Sequence, residues 1–129
     1  MKPVQQTQFH DDRGGIGNCF EACVASLFEL EGIEDVPNFG EDRWFPKFLR
    51  WIEERGYTSY GALHQESVQN YKGGVDGYYI VVGGSPRFPN LKGGHAVVYR
   101  EGAMVHDPYP IPSGILTPWY ILSIEKKWD

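Results

Sequence analysis

The spacing of apolar residues changes once along this chain, at Gly56, and that change limits the fold more than any other feature. Before it, large apolar side chains recur every three or four positions: Phe20, Cys23, Val24, Leu27 and Phe28, then Trp44, Phe45, Phe48, Leu49 and Ile52. With 3.6 residues per turn, such spacing returns each side chain to one face of a helix. After Gly56 come runs rich in β-branched and aromatic residues, at 78–82, 95–99, 103–107 and 119–124, separated by clusters such as Gly83-Gly84-Ser85-Pro86. Runs of this kind read as strands of an antiparallel sheet. Helices first and strands afterwards predict an α+β fold, with N-terminal helices packed on a C-terminal antiparallel sheet. The 129 residues suit one domain over 1–129, and 41% hydrophobic residues can form its core without metals or crosslinks.

The first helix is expected over residues 19–30. Asn18 would cap it, Glu21 three residues on would complete a capping box, and Gly32 lies just past its end. Cys23 then points to the core and Cys19 sits in an exposed first turn. The second helix is expected over residues 42–55, with Pro46 in the first turn, where proline is tolerated, and Gly56 as its stop. Residues 1–17 read as an irregular lead-in ending in glycines.

A net charge of −5 with no Lys/Arg cluster argues against nucleic acid as a partner, because neutralising phosphates takes a basic surface. No apolar run is long enough for a membrane span and the N-terminus has no signal-like segment, so no membrane partner and a cytoplasmic location are expected. Two cysteines four apart on one helix are expected to be free thiols.

Cys19 follows the turn Gly17-Asn18 and opens its helix. A thiol there faces unpaired N–H groups and the positive end of the helix dipole, both of which favour the thiolate. The turn between the two central strands supplies the next step. A two-residue loop, Glu101-Gly102, would place glutamate at positive φ, whereas Arg100-Glu101-Gly102 makes a three-residue loop ending in a left-handed glycine. The second choice pairs Tyr99 with Ala103 and sets His95 directly opposite Asp107, leaving His106 on the other face. Cys19, His95 and Asp107 then supply a nucleophile, a base and a carboxylate that orients the base, a chemistry that needs no cofactor and no metal. Singly, each residue has a structural reading: a core cysteine, a strand histidine, a turn-starting aspartate. Their shared register favours the joint role. Cys19, Cys23, His95 and His106 are also zinc-ligand types, but Cys23 is wanted on the apolar face and no close Cys/His partner pair exists.

Through Asn18-Cys19, Gly94-His95 and His106-Asp107-Pro108, the chain resembles the papain-like cysteine peptidase superfamily, and within it the smaller bacteriocin-leader peptidases. It is also similar to a set of small bacterial and phage proteins that carry Gln6-Thr7, Gly17-Asn18-Cys19-Phe20, Asp35-Val36-Pro37-Asn38-Phe39 and His106-Asp107-Pro108. The first resemblance implies a papain-like fold, a peptide or protein substrate, and cleavage of a peptide, isopeptide or related amide bond through a thioester. In that superfamily a glutamine before the cysteine donates to the oxyanion hole. The family's spacing falls on Arg13 here, so Gln6 is the oxyanion candidate, with Gln8 in reserve, brought in by folding of the stretch between it and Gly17. With an amine in place of water, the same residues would perform acyl transfer, as in transglutaminase-like enzymes. A non-catalytic papain-like module that presents Trp44, Trp51 and Trp119 to a partner is the alternative from outside enzymology.

Overall fold

A computed structural model describes residues 1–9, 17–40, 42–90 and 94–127. Among them, two α-helices, α1 (Cys19–Leu27) and α2 (Trp44–Glu53), precede seven strands: β1 (Tyr57–Thr58), β2 (Ala62–His64), β3 (Tyr78–Gly83), β4 (His95–Arg100), β5 (Ala103–His106), β6 (Pro118–Leu122) and β7 (Glu125–Lys126). Strands β2 to β6 form one antiparallel sheet in the order β2-β6-β3-β4-β5, and β1 pairs with β7 apart from it. The architecture is mixed α+β. β1, β2 and β7 lie outside the runs expected from sequence, because strands of two or three residues are too short for alternation to show.

The sheet separates two apolar clusters. Cys23, Val24 and Leu27 of α1 pack with Ile80, Val82, Ala96, Val98 and Leu122 on one side. Tyr79, Val81, Val97 and Ile121 point to the other side, where Val68 and Tyr71 cover them. α2 joins the first cluster through Phe48, Trp51 and Ile52, and Phe20 bridges the helices with its ring 5.1 Å from that of Phe48. Cys23 is fully buried here. Cys23→Ala is therefore expected to lower unfolding free energy by about 1 kcal/mol or more through lost core volume, measured by denaturant titration.

α1 ends at Leu27, earlier than expected. Leu30 N–H donates to Ala25 O at 3.0 Å and Glu29 N–H to Ser26 O at 3.2 Å, with Glu29 at φ 55°. This pair of bonds is a Schellman stop, and Glu29 takes the left-handed position that Gly32 was expected to serve.

The segment 1–9 is irregular, as expected, and forms a strap. Lys2 N–H donates to Ser26 O at 3.0 Å, Val4 N–H to Ser26 Oγ at 2.9 Å and Gln6 N–H to Pro108 O at 2.9 Å. It therefore ties α1 to the end of β5. The expected glycine-rich turn at 14–16 lies outside the described residues.

The β4–β5 turn corrects the expected loop. It is the two-residue turn Glu101-Gly102, with φ of 53° and 82°, and it closes Arg100 on Ala103. Positive φ at both positions gives the twist that antiparallel neighbours need, and this outweighs the cost of a glutamate there. A bulge follows: Tyr99 pairs with Met104 but Val98 with His106, so Val105 is the extra residue. Turn and bulge each move the register by one residue from the expected Tyr99–Ala103 pairing. One slip exchanges the faces and the second restores them. Asp107 thus keeps the face it shares with His95, but diagonally and past the strand's end rather than directly opposite. Glu101→Asn is expected to stabilise the protein by about 0.5 kcal/mol, because asparagine tolerates this conformation better, read as a rise in Tm.

Candidate active site

Local bonding at the start of α1 differs from a capping box. Asn18 Oδ1 accepts from Thr7 N–H and Gln8 N–H, each at 2.9 Å, and its Nδ2 donates to Thr7 Oγ1 at 2.9 Å. Asn18 therefore holds the strap and no side chain caps the helix. Glu21 turns away to accept from Phe39 N–H at 3.1 Å, and burial raises its carboxyl above the ordinary range. The uncapped positive end of the helix dipole falls on Cys19, the first helical residue. Cys19 is not exposed as expected. It is 7% exposed, because the strap returns across the helix start through Asn18 N–H and Gln8 O at 3.1 Å.

His95 and Asp107 meet beside it. His95 Nε2 lies 2.6 Å from Asp107 Oδ1, and both residues are buried. The imidazole also exchanges a side-chain hydrogen bond with Cys19, for which the other ring nitrogen remains. Asp107 is held on every side: Oδ1 accepts from Tyr109 N–H at 3.0 Å, and Oδ2 from Ser113 N–H at 3.0 Å and Gly114 N–H at 2.8 Å. These bonds, from the turn just beyond β5, fix the carboxylate where strand pairing no longer does.

The electrostatics follow from these contacts. Burial pushes the His95 imidazole down, but the hydrogen bonds with Asp107 and Cys19, aided by their charges, outweigh it and hold the ring at about 9. Burial pushes Asp107 up, and the bonds from His95 and Tyr109 outweigh it, leaving the carboxyl at about 2. Burial raises the Cys23 thiol, which the nearby negative charges of Cys19, Asp107 and Glu21 raise further, so Cys23 stays protonated. The raised imidazole stabilises the fold fully below its unfolded value of about 6.5 and loses that contribution as pH rises through about 9. The lowered carboxyl stabilises above its unfolded value of about 4 and loses that contribution as pH falls through about 2. Stability from the pair is therefore expected to be greatest near pH 4–6.5. Asp107→Asn should flatten that profile in denaturant titrations.

A cavity of about 130 Å³ adjoins His95, and Gln6, Ser85, Arg87, Gly94 and Tyr109 are among its lining residues. Gln6 is buried, with Nε2 donating to Gln8 O at 3.0 Å. An amide nitrogen carries two protons, so one remains besides that bound to Gln8 O. Gln8 is exposed and takes part through its backbone. Arg13, at the family's spacing, lies outside the described residues. Gly94 fixes the entry to β4: it has φ 68°, and a Cβ there would fall 2.4 Å from Gly83 O and 2.6 Å from the Trp119 ring. Any side chain at 94 would displace His95.

The structure thus brings Cys19, His95, Asp107 and Gln6 to one end of the sheet. Ser85, Arg87 and Tyr109 were not foreseen, nor was Tyr120, whose hydroxyl burial raises, with a further rise from the charge of Cys19. The only trace of the first three in the sequence is the loop after β3 and the residues following His106-Asp107-Pro108, and Tyr120 lies in the strand run 119–124. His106 is turned away, with Nε2 2.8 Å from Val4 O. Among the described residues no group of three or more His, Cys, Asp or Glu is placed to hold a metal ion. Of the tryptophans considered for a partner surface, Trp51 is buried, Trp44 half-buried and Trp119 exposed. No described helix is long and apolar enough to cross a membrane. Compared with protein-family models, curated proteins and solved structures, the chain matches none.

Proposed function

We propose that this protein is a small cysteine hydrolase of papain-like fold, acting on a peptide, isopeptide or related amide bond. The observation that carries the reading is the chain of contacts from Cys19, at an uncapped helix start, through His95 to the buried carboxylate of Asp107. Residue types, order and geometry all suit a nucleophile, a general base and an orienting acid.

In the acylation step the proton of Cys19 already rests on His95 as a thiolate–imidazolium pair, and the sulfur attacks the amide carbonyl, forming a C–S bond. The oxyanion accepts from the free proton of Gln6 Nε2. The C–N bond then breaks as His95 returns the proton to the leaving amine, and a thioester remains on Cys19. Water, deprotonated by His95, attacks the thioester; the C–S bond breaks and the carboxylic acid departs. Asp107 keeps one tautomer of His95 and stabilises the imidazolium throughout.

A generic acyl donor tests this without knowledge of the substrate. On mixing with p-nitrophenyl acetate, a burst of p-nitrophenol stoichiometric with protein is expected, with the acetyl group located on Cys19 by peptide mass spectrometry. Acetylation at Cys23, or an equal burst from Cys19→Ala, would contradict the proposal.

A further inference from the structure

Two buried side-chain atoms lack a hydrogen-bond partner among the described residues, Gln6 Oε1 and Arg87 Nη1, and both side chains line the cavity beside His95. A buried polar atom left unpaired costs about 1–3 kcal/mol, and more when charged. A guanidinium cannot relieve that cost by giving up its proton. One orphaned donor and one orphaned acceptor belong to side chains that line the same cavity, an arrangement that suits a ligand.

We infer that this cavity is a specificity subsite in which Arg87 binds a substrate carboxylate while Gln6 Oε1 accepts an adjoining substrate N–H. The inference rests on the hydrolase reading above and names its substrate class: acyl donors with a carboxylate close to the scissile carbonyl. Arg87 is mounted for that task. Its guanidinium carbon lies 3.4 Å from the centroid of the Tyr109 ring. Stacking fixes the plane of the fork and leaves its N–H edge for a bidentate partner in that plane. Tyr109 is in turn fixed by its N–H bond to Asp107 and by an edge-on contact with Phe9 at 5.5 Å. The same turn therefore positions the carboxylate that orients His95 and the cation that binds substrate. Ser85 Oγ accepts from Phe88 N–H at 3.2 Å, which shapes the loop carrying Arg87 and leaves the hydroxyl proton as a further donor.

No carboxylate of the described residues forms an ion pair with Arg87. Asp107, the acid nearest Tyr109 in sequence, spends both oxygens on His95, Tyr109, Ser113 and Gly114. A fully ionised phosphate ester would offer only acceptors and leave Gln6 Oε1 unmatched. A residue carrying both a carboxylate and an amide N–H satisfies both orphans.

Alkylation of Cys19 by iodoacetate and by its neutral counterpart iodoacetamide reads this directly. In the wild-type protein the ratio of the two rates is expected to favour iodoacetate, and Arg87→Gln should lower that ratio about tenfold. Taking the ratio cancels any general change in thiol reactivity. Arg87→Lys should retain part of the preference, since it keeps the charge and loses the fork. Arg55→Gln removes a cation stacked on Trp51, away from the cavity, and should leave the ratio unchanged. An unchanged ratio in Arg87→Gln overturns the inference. A second measurement serves if Arg87→Gln does not fold. N-acetylglycine, with a terminal carboxylate, or N-acetylglutamate α-amide, with a side-chain carboxylate, should protect wild-type Cys19 from iodoacetamide where N-acetylglycinamide does not. The protecting compound identifies the source of the carboxylate, and equal protection by all three, or none, overturns the inference. The two readings fail separately: rapid alkylation that depends on His95 but not on Arg87 sinks the subsite alone, whereas slow alkylation insensitive to His95 sinks the hydrolase reading beneath it.

Discussion

Cys19→Ala is expected to abolish turnover, to background or by at least about 10³-fold, because the acyl intermediate forms on the Cys19 sulfur. The burst with p-nitrophenyl acetate should vanish with it. The cost in stability should be small beside this. Cys19 is buried and hydrogen-bonded to His95, so alanine removes one contact worth about 1 kcal/mol from a fold whose margin is typically about 5–15 kcal/mol. Circular dichroism and denaturant titration should therefore report a folded protein without chemistry. A variant that keeps its burst while Cys23→Ala loses it would assign the nucleophile to the other thiol.

His95→Ala carries the second large effect, a fall in turnover of about 10³-fold with a changed pH dependence. The thiolate loses its imidazolium partner, so the pH at which Cys19 becomes reactive should rise toward the ordinary thiol value of about 8.5. His106→Ala provides the contrast. Its ring contacts Val4 O in the strap and lies outside the cavity lining, so the loss should be structural, about 1 kcal/mol in stability, with thiol reactivity retained. Equal damage from both histidines would contradict the separation of their roles.

How far the sequence reached is clearest at Asp107. Residue types and alternation placed it on the face of His95, and the hydrogen bond at 2.6 Å agrees, yet the expected three-residue loop is a two-residue turn. Glu101 adopts positive φ, and the bulge at Val105 supplies the compensating slip. Alternation depends only on parity, so two one-residue differences leave the face unchanged; position along the strand has no such protection. The helices were legible from their apolar spacing, and their ends were not, because a Schellman stop at Glu29 uses a residue with no glycine signature. Asn18 shows the same limit at the other end. Its type announces a cap, but tertiary context gave its oxygen to Thr7 and Gln8. Gln6 was singled out through resemblance to a family and lines the cavity beside His95; Arg87 lines the same cavity with nothing in the sequence to mark it, since the β3–β4 connection meets the strap and the turn after β5 only in the fold.

The central claim is a thiolate at Cys19 paired with an imidazolium at His95, and the ultraviolet absorbance of the thiolate against pH measures that pair without any substrate. Taken as the difference between wild type and Cys19→Ala, the thiolate signal is expected well below the ordinary thiol value of about 8.5, with a second inflection near 9 as His95 gives up its proton. A single rise at or above about 8.5 that His95→Ala leaves in place would contradict the account.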